Sequence, residues 1–131
     1  VPRSSISIPP AAEHVRAVRL VAGAAARRGN VPEPLVDEVR LAVGEAVARA
    51  VLRHRRAEVS ADVVVTMHDD PEAFEVQIDD RAPADLPDTD DGMSEALVTA
   101  LVPHTATTEI PGGGRRVRLV WPLEDPAQPE E

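Results

Sequence analysis

Lysine, cysteine and tyrosine are all absent from the 131 residues, and the only aromatic side chains are Phe74 and Trp121. Without lysine there is no phosphate-loop lysine, no Schiff base and no Ser-Lys dyad, so those mechanisms are excluded on composition alone. Without cysteine there is no disulfide, no thiolate nucleophile and no Cys-ligated zinc, a pattern that suits a reducing compartment. The lack of stacking aromatics removes the usual platform for single-stranded nucleic acid. A balance of 14 basic against 23 acidic residues, net −9, opposes binding to a phosphate backbone. No apolar run approaches the roughly 20 residues of a membrane span, and nothing resembles a signal peptide. A soluble, cytoplasmic protein with neither nucleic acid nor membrane as partner is expected.

What is present is aliphatic. Apolar residues make up 43% of the chain, so the core must come from Val, Leu, Ile and Ala. The length suits one domain over residues 1–123, with an acidic, proline-containing tail of disordered composition at 124–131. Residues 4–8 alternate polar and apolar until Pro9-Pro10, which predicts a short strand. An Ala-rich helix is predicted over 11–28, with Val15, Val18 and Val21 or Ala22 on one face, Arg27-Arg28 in the last turn and Gly29-Asn30 closing it. Pro32-Glu33-Pro34 opens a second helix running to about His54, with Val36, Val39, Val43, Ala46, Val47 and Ala50 as its buried stripe and Arg53-His54-Arg55-Arg56 at its C-terminal end.

Residues 59–68 read as a buried strand around Val63, Val64 and Val65. A turn at Asp69-Asp70-Pro71-Glu72 leads into 73–79, where Phe74, Val76 and Ile78 alternate with Glu75, Gln77 and Asp79. Residues 81–91, rich in Pro and Asp, form a loop; 93–102 a short helix; 105–110 and 115–121 a hairpin around Gly112-Gly113-Gly114. The order predicts an α+β, two-layer sandwich: a mostly antiparallel mixed sheet with helices on one face.

The stretch Leu41-Ala42-Val43-Gly44-Glu45-Ala46-Val47-Ala48-Arg49-Ala50-Val51 resembles the first nucleotide box of the histidine-kinase-like (GHKL) ATPases, specifically the small anti-sigma-factor serine kinases of bacterial partner switching. There the box reads roughly L-x-x-x-E-A-x-x-N-A-x. Val76-Gln77-Ile78-Asp79-Asp80-Arg81-Ala82-Pro83-Ala84 is similar to that family's V-x-V-x-D-x-G-x-G, and Gly92-Met93-Ser94-Glu95-Ala96-Leu97-Val98 to its G-x-G-L-A-L-V. Residues 112–122 are similar to its closing G-G-T-x-V-x-L-x-W-P. The resemblance implies the histidine-kinase-like ATPase fold, ATP with Mg²⁺ as cofactor, an alternative sigma factor and a STAS-type anti-sigma-factor antagonist as partners, and often a homodimer. It places a general base at Glu45 and the carboxylate that binds the adenine amino group at Asp80.

Departures fall on the same motifs. Arg49 stands where the family has its Mg²⁺-ligating Asn, and arginine offers five donors and no acceptor. Ala82 and Ala84 replace the two loop glycines. Gly92 is kept, but Ser94 replaces the second glycine of its motif and Glu95 brings negative charge to the helix start where phosphate would sit. Two readings therefore stand for Glu45: a retained base, or an ion pair with Arg49 four residues on. Asp80 reads as the adenine contact or as turn chemistry at a strand end. Asp85, Asp88, Asp90 and Asp91 do not match a calcium loop, because Pro87 and Thr89 break the alternation. His14, His54, His68 and His104 lack ligand spacing, and no metal site is expected.

The leading expectation is an anti-sigma-factor-like regulator that docks protein partners, with ATP binding and ATP chemistry weakened or lost and no cofactor; whether any enzymatic activity is retained stays open at this point. The first alternative is an active serine kinase phosphorylating an antagonist, in which Arg49 grips phosphate directly and ATP and Mg²⁺ are retained. The second is a structural, dimerising subunit.

Overall fold

The computed structural model describes residues 3–87 and 92–123. The expected tail, together with Asp88, Asp90 and Asp91 of the acidic loop, lies outside the described residues. The elements run β1 (Arg3–Ile8), a single 3₁₀ turn (Ala12–His14), α1 (Val15–Arg28), α2 (Glu33–Arg56), β2 (Val63–Asp69), β3 (Ala73–Asp80), α3 (Met93–Leu101), β4 (His104–Glu109) and β5 (Arg115–Pro122). None of the described helices is long and apolar enough to cross a membrane.

Both long helices end in the same way. After α1 the N–H of Val31 reaches the carbonyl of Ala26 and that of Asn30 the carbonyl of Arg27, with Asn30 in the left-handed region at φ 64°. At the end of α2, Val59 bonds back to His54 and Glu58 to Arg55, with Glu58 at φ 56°. These are Schellman endings, and each places a valine just past the left-handed residue. The turn after α2 also explains why β2 begins at Val63 rather than at Val59: Val59 is still part of the helix ending.

Five strands form one sheet in the order β1-β2-β3-β5-β4. All four ladders are antiparallel, so the sheet is antiparallel throughout the described residues. Pairing in register puts Ile8, Val63, Val65, Met67, Phe74, Val76, Ile78, Leu119 and Trp121 on one face, where the helices bury them. The expected stripe of α2, from Val36 to Ala50, is buried in full, and on α1 it is Ala22 that turns inward while Val21 stays 38% exposed. Val64, expected to be buried with its neighbours, faces the open side with Thr66 and is half-buried. On that open side, ion pairs join the strands: Arg116 clamps Asp79 through two 2.9 Å bonds and Arg118 pairs with Glu75.

Two contacts tie the end of α2 and the β4–β5 hairpin to the exit of β3. His54, fully buried near the end of α2, accepts a 2.7 Å bond at Nε2 from the Arg81 N–H. Its other nitrogen, Nδ1, therefore carries the proton and donates to the Ala61 carbonyl at 2.9 Å. Gly114, entering β5, sits at φ 112°, and a Cβ there would collide with the Asp80 carbonyl oxygen. The hairpin between β4 and β5 is thereby pressed against the end of β3.

The energetic weight of these contacts can be read by chemical denaturation with Trp121 fluorescence as the probe. Gly114→Ala should cost about 3 kcal/mol or more, combining a backbone clash with a disfavoured φ. Gly92→Ala, at φ 77° with nothing within 4 Å of its Cβ position, should cost only about 1 kcal/mol. Equal effects of the two glycine substitutions would contradict the close approach of Gly114 to β3. His54→Leu keeps the volume but leaves the Arg81 N–H and the Ala61 carbonyl without their partner, and should cost about 2 to 4 kcal/mol.

Candidate functional site

The buried stripe of α2 continues past Ala50 by the same 3–4 residue step, and the next residues on it are Arg53 and His54. Both are buried, and the Arg53 side chain enters the interior with only 1% exposure. A guanidinium taken out of water costs several kcal/mol unless its charge is matched and its donors are satisfied. Here both conditions are met. Nε donates to Asp80 Oδ2 at 3.1 Å, Nη1 to the Leu86 carbonyl at 3.0 Å, and Nη2 to the carbonyls of Pro83 at 2.8 Å and Ala82 at 3.4 Å.

Asp80, the last residue of β3, is 3% exposed and is held from two sides. Its Oδ2 meets Arg53, and its Oδ1 accepts the Ala82 N–H at 3.1 Å. The Ala82 methyl is fully buried beneath the same segment. Arg56, one turn beyond Arg53, donates to the Pro87 carbonyl, and His54 takes the Arg81 N–H. Three side chains from the last turn of α2 thus bind the backbone of residues 81–87 along most of its length. The segment is a loop, in keeping with its composition, and its irregular backbone is anchored by side chains rather than by strand or helix bonds.

The sequence pattern puts Arg53 and His54 in a C-terminal charge cluster. Arg55 and Arg56 are exposed as that reading requires, whereas Arg53 and His54 belong to the interior. The signal that could have found them is the spacing Val43, Ala46, Ala50, Arg53, which prolongs the buried face into the charged run.

Glu45, Arg49 and Arg53 stand four residues apart along one line of α2, leading toward Asp80. Glu45 and Arg49 are each half-buried, and the ion pairs among the described residues do not include one between them. Ala84 is half-buried in the anchored segment. Gly92 opens α3 as its left-handed N-cap, with its carbonyl accepting the Ala96 N–H, and Ser94 is buried in the first turn. Helix α3 packs against α2, and Arg53 links α2 to Asp80 at the end of β3. Among the described residues no three His, Asp or Glu side chains are grouped to hold a metal ion. A cavity of about 390 Å³ lies away from these residues, between α1 and α2, lined by Arg16, Arg19, Leu20 and Arg40.

Comparison with known proteins agrees with this layout. No curated protein matches the chain significantly. Among solved structures, the chain is similar to the crystal structure of the RsbU and RsbW domains of Rv1364c from Mycobacterium tuberculosis, with a TM-score of 0.66 at 19% identity. The likeness covers 92% of this chain and 31% of that one, so the chain spans about a third of its length. The model of the histidine kinase-like ATPase domain matches residues 8–121, which takes in every element from the end of β1 to Trp121, and the chain belongs to that family.

Proposed function

We propose that the chain is an anti-sigma-factor-like regulator of partner switching that works by binding protein, with its ATP binding lost. The observation that carries this reading is the Arg53–Asp80 pair. The carboxylate that the family resemblance assigns to the adenine amino group is already bonded to a buried guanidinium and to a backbone N–H of its own chain. A nucleotide would have to displace a charge-matched partner, and removing one member of a buried pair costs about 3 to 5 kcal/mol.

Two further features support it. Arg49 carries no acceptor and so cannot ligate Mg²⁺. The buried Ala82 methyl fills room that a glycine would leave. The residues present do not fit Mg·ATP. Fold similarity to a chain that carries an RsbW domain is in keeping with an alternative sigma factor or a STAS-type antagonist as the partner.

Calorimetric titration with Mg·ATP should give no saturable heat, and a Kd in the low micromolar range would overturn the reading. Arg49→Asn combined with Ala82→Gly and Ala84→Gly restores the metal ligand and the loop glycines but leaves Arg53 in place, so this triple variant should also stay silent. Capture of a sigma factor or antagonist from the native host should be equal with and without ATP. Strictly ATP-dependent capture contradicts the proposal, and capture of neither partner favours a structural subunit instead.

A further inference from the structure

We propose that Arg53 is a built-in ligand: its guanidinium fills an acceptor-lined pocket of Asp80, Ala82, Pro83 and Leu86 and holds the 81–87 segment in one conformation without any diffusible molecule. This rests on the reading that the site takes no nucleotide, and it adds what does the ordering in its place.

The chemistry of the pocket defines its ligand class. Every hydrogen-bond partner of the Arg53 head is an acceptor: one carboxylate oxygen and three carbonyl oxygens. Such a wall suits a planar cation with N–H donors spread along its edge, which is a guanidinium or an amidinium. Adenine fits it poorly, because N1 and N7 beside its exocyclic amino group are acceptors and would face carbonyl oxygens. The wall is therefore matched to the side chain that fills it.

The segment needs this support. Residues 81–87 read Arg-Ala-Pro-Ala-Asp-Leu-Pro, and apart from the buried Ala82 they offer little apolar area to set against the entropy of ordering. His54 and Asp80 secure only its first two N–H groups. The Leu86 N–H bonds within the segment, to the Pro83 carbonyl at 3.0 Å. Attachment of the distal half to the body comes from Arg53 at Pro83 and Leu86 and from Arg56 at Pro87. A conformer already populated in full carries no population cost when a partner binds it.

Hydrogen exchange of the full chain in nucleotide-free buffer tests this. In Arg53→Ala the amides of Ala82 and Leu86 should exchange roughly tenfold faster or more than in the wild type, while those of the β2–β3 ladder keep their protection. Guanidinium at low millimolar, non-denaturing concentration should restore protection in Arg53→Ala saturably, and tetramethylammonium at the same concentration should not. A residue that merely fills space would show no such rescue. Unchanged exchange in Arg53→Ala, or equal effects of the two cations, overturns the proposal. Arg53→Lys keeps the charge but cannot span all four acceptors, so its Leu86 amide should exchange several-fold faster; wild-type protection there also overturns it, and this holds even if the alanine variant fails to fold. Because no nucleotide is present, the result is independent of the ATP titration, so failure of one reading is not failure of the other.

Discussion

A guanidinium buried to 1% exposure constrains everything around it, since each of its donors must find an acceptor and its charge must find a counter-charge. In this chain the counter-charge comes from the last residue of β3 and the remaining acceptors from the segment that leaves it. The route of residues 81–87 is therefore dictated by the head of one side chain on α2. The helix must stay regular through Arg56 to deliver Arg53, and the Schellman turn at Glu58 ends it directly afterwards. His54 joins the helix to the backbone on both sides, at Ala61 before β2 and at Arg81 after β3.

The same point gathers contacts from the far end of the sequence. Gly114 lies against the Asp80 carbonyl, close enough that any Cβ would collide, so the β4–β5 hairpin braces the strand whose terminal carboxylate meets Arg53. Arg81 adds a 3.3 Å bond to the Gly113 carbonyl. Loss of rigidity at any of these places would loosen the acceptors, and a loosened acceptor set no longer compensates the buried charge. Stability and local order are coupled here, and substitutions within the cluster should not add independently.

Most of the fold is legible in the sequence because periodicity reports on burial. The alternation Phe74, Val76, Ile78 marks the inner face of β3, and the step from Val36 to Ala50 marks the inner face of α2, both as found. Two local features are less visible. Val63-Val64-Val65 carries no alternation, so the side to which Val64 turns depends on its pairing with Ser7 and Asp79. Glu45 and Arg49 have the right spacing for a helix pair, yet spacing states only that two side chains can meet; such a contact is worth a few tenths of a kcal/mol and yields readily to tertiary surroundings. Arg53 and His54 are hidden for a stronger reason. Arginine at a helix C-terminus is ordinary surface chemistry, and what reverses it is a carboxylate 27 residues away in the chain.

Membership of a family fixes an architecture, and the chemistry is fixed separately by the side chains set on it. In this chain Arg53 joins the last turn of α2 to the end of β3, and α3 packs against α2. On the proposed reading Arg49 offers donors where the family resemblance implies an oxygen ligand, and Arg53 engages Asp80 from within. Restoring an acceptor at position 49 would leave the Asp80 pair intact, and removing Arg53 alone would leave a buried carboxylate without its counter-charge. On the proposed reading a return to nucleotide binding therefore has no single-step path that preserves stability, because each intermediate lacks either the metal ligand or the compensation of a buried charge.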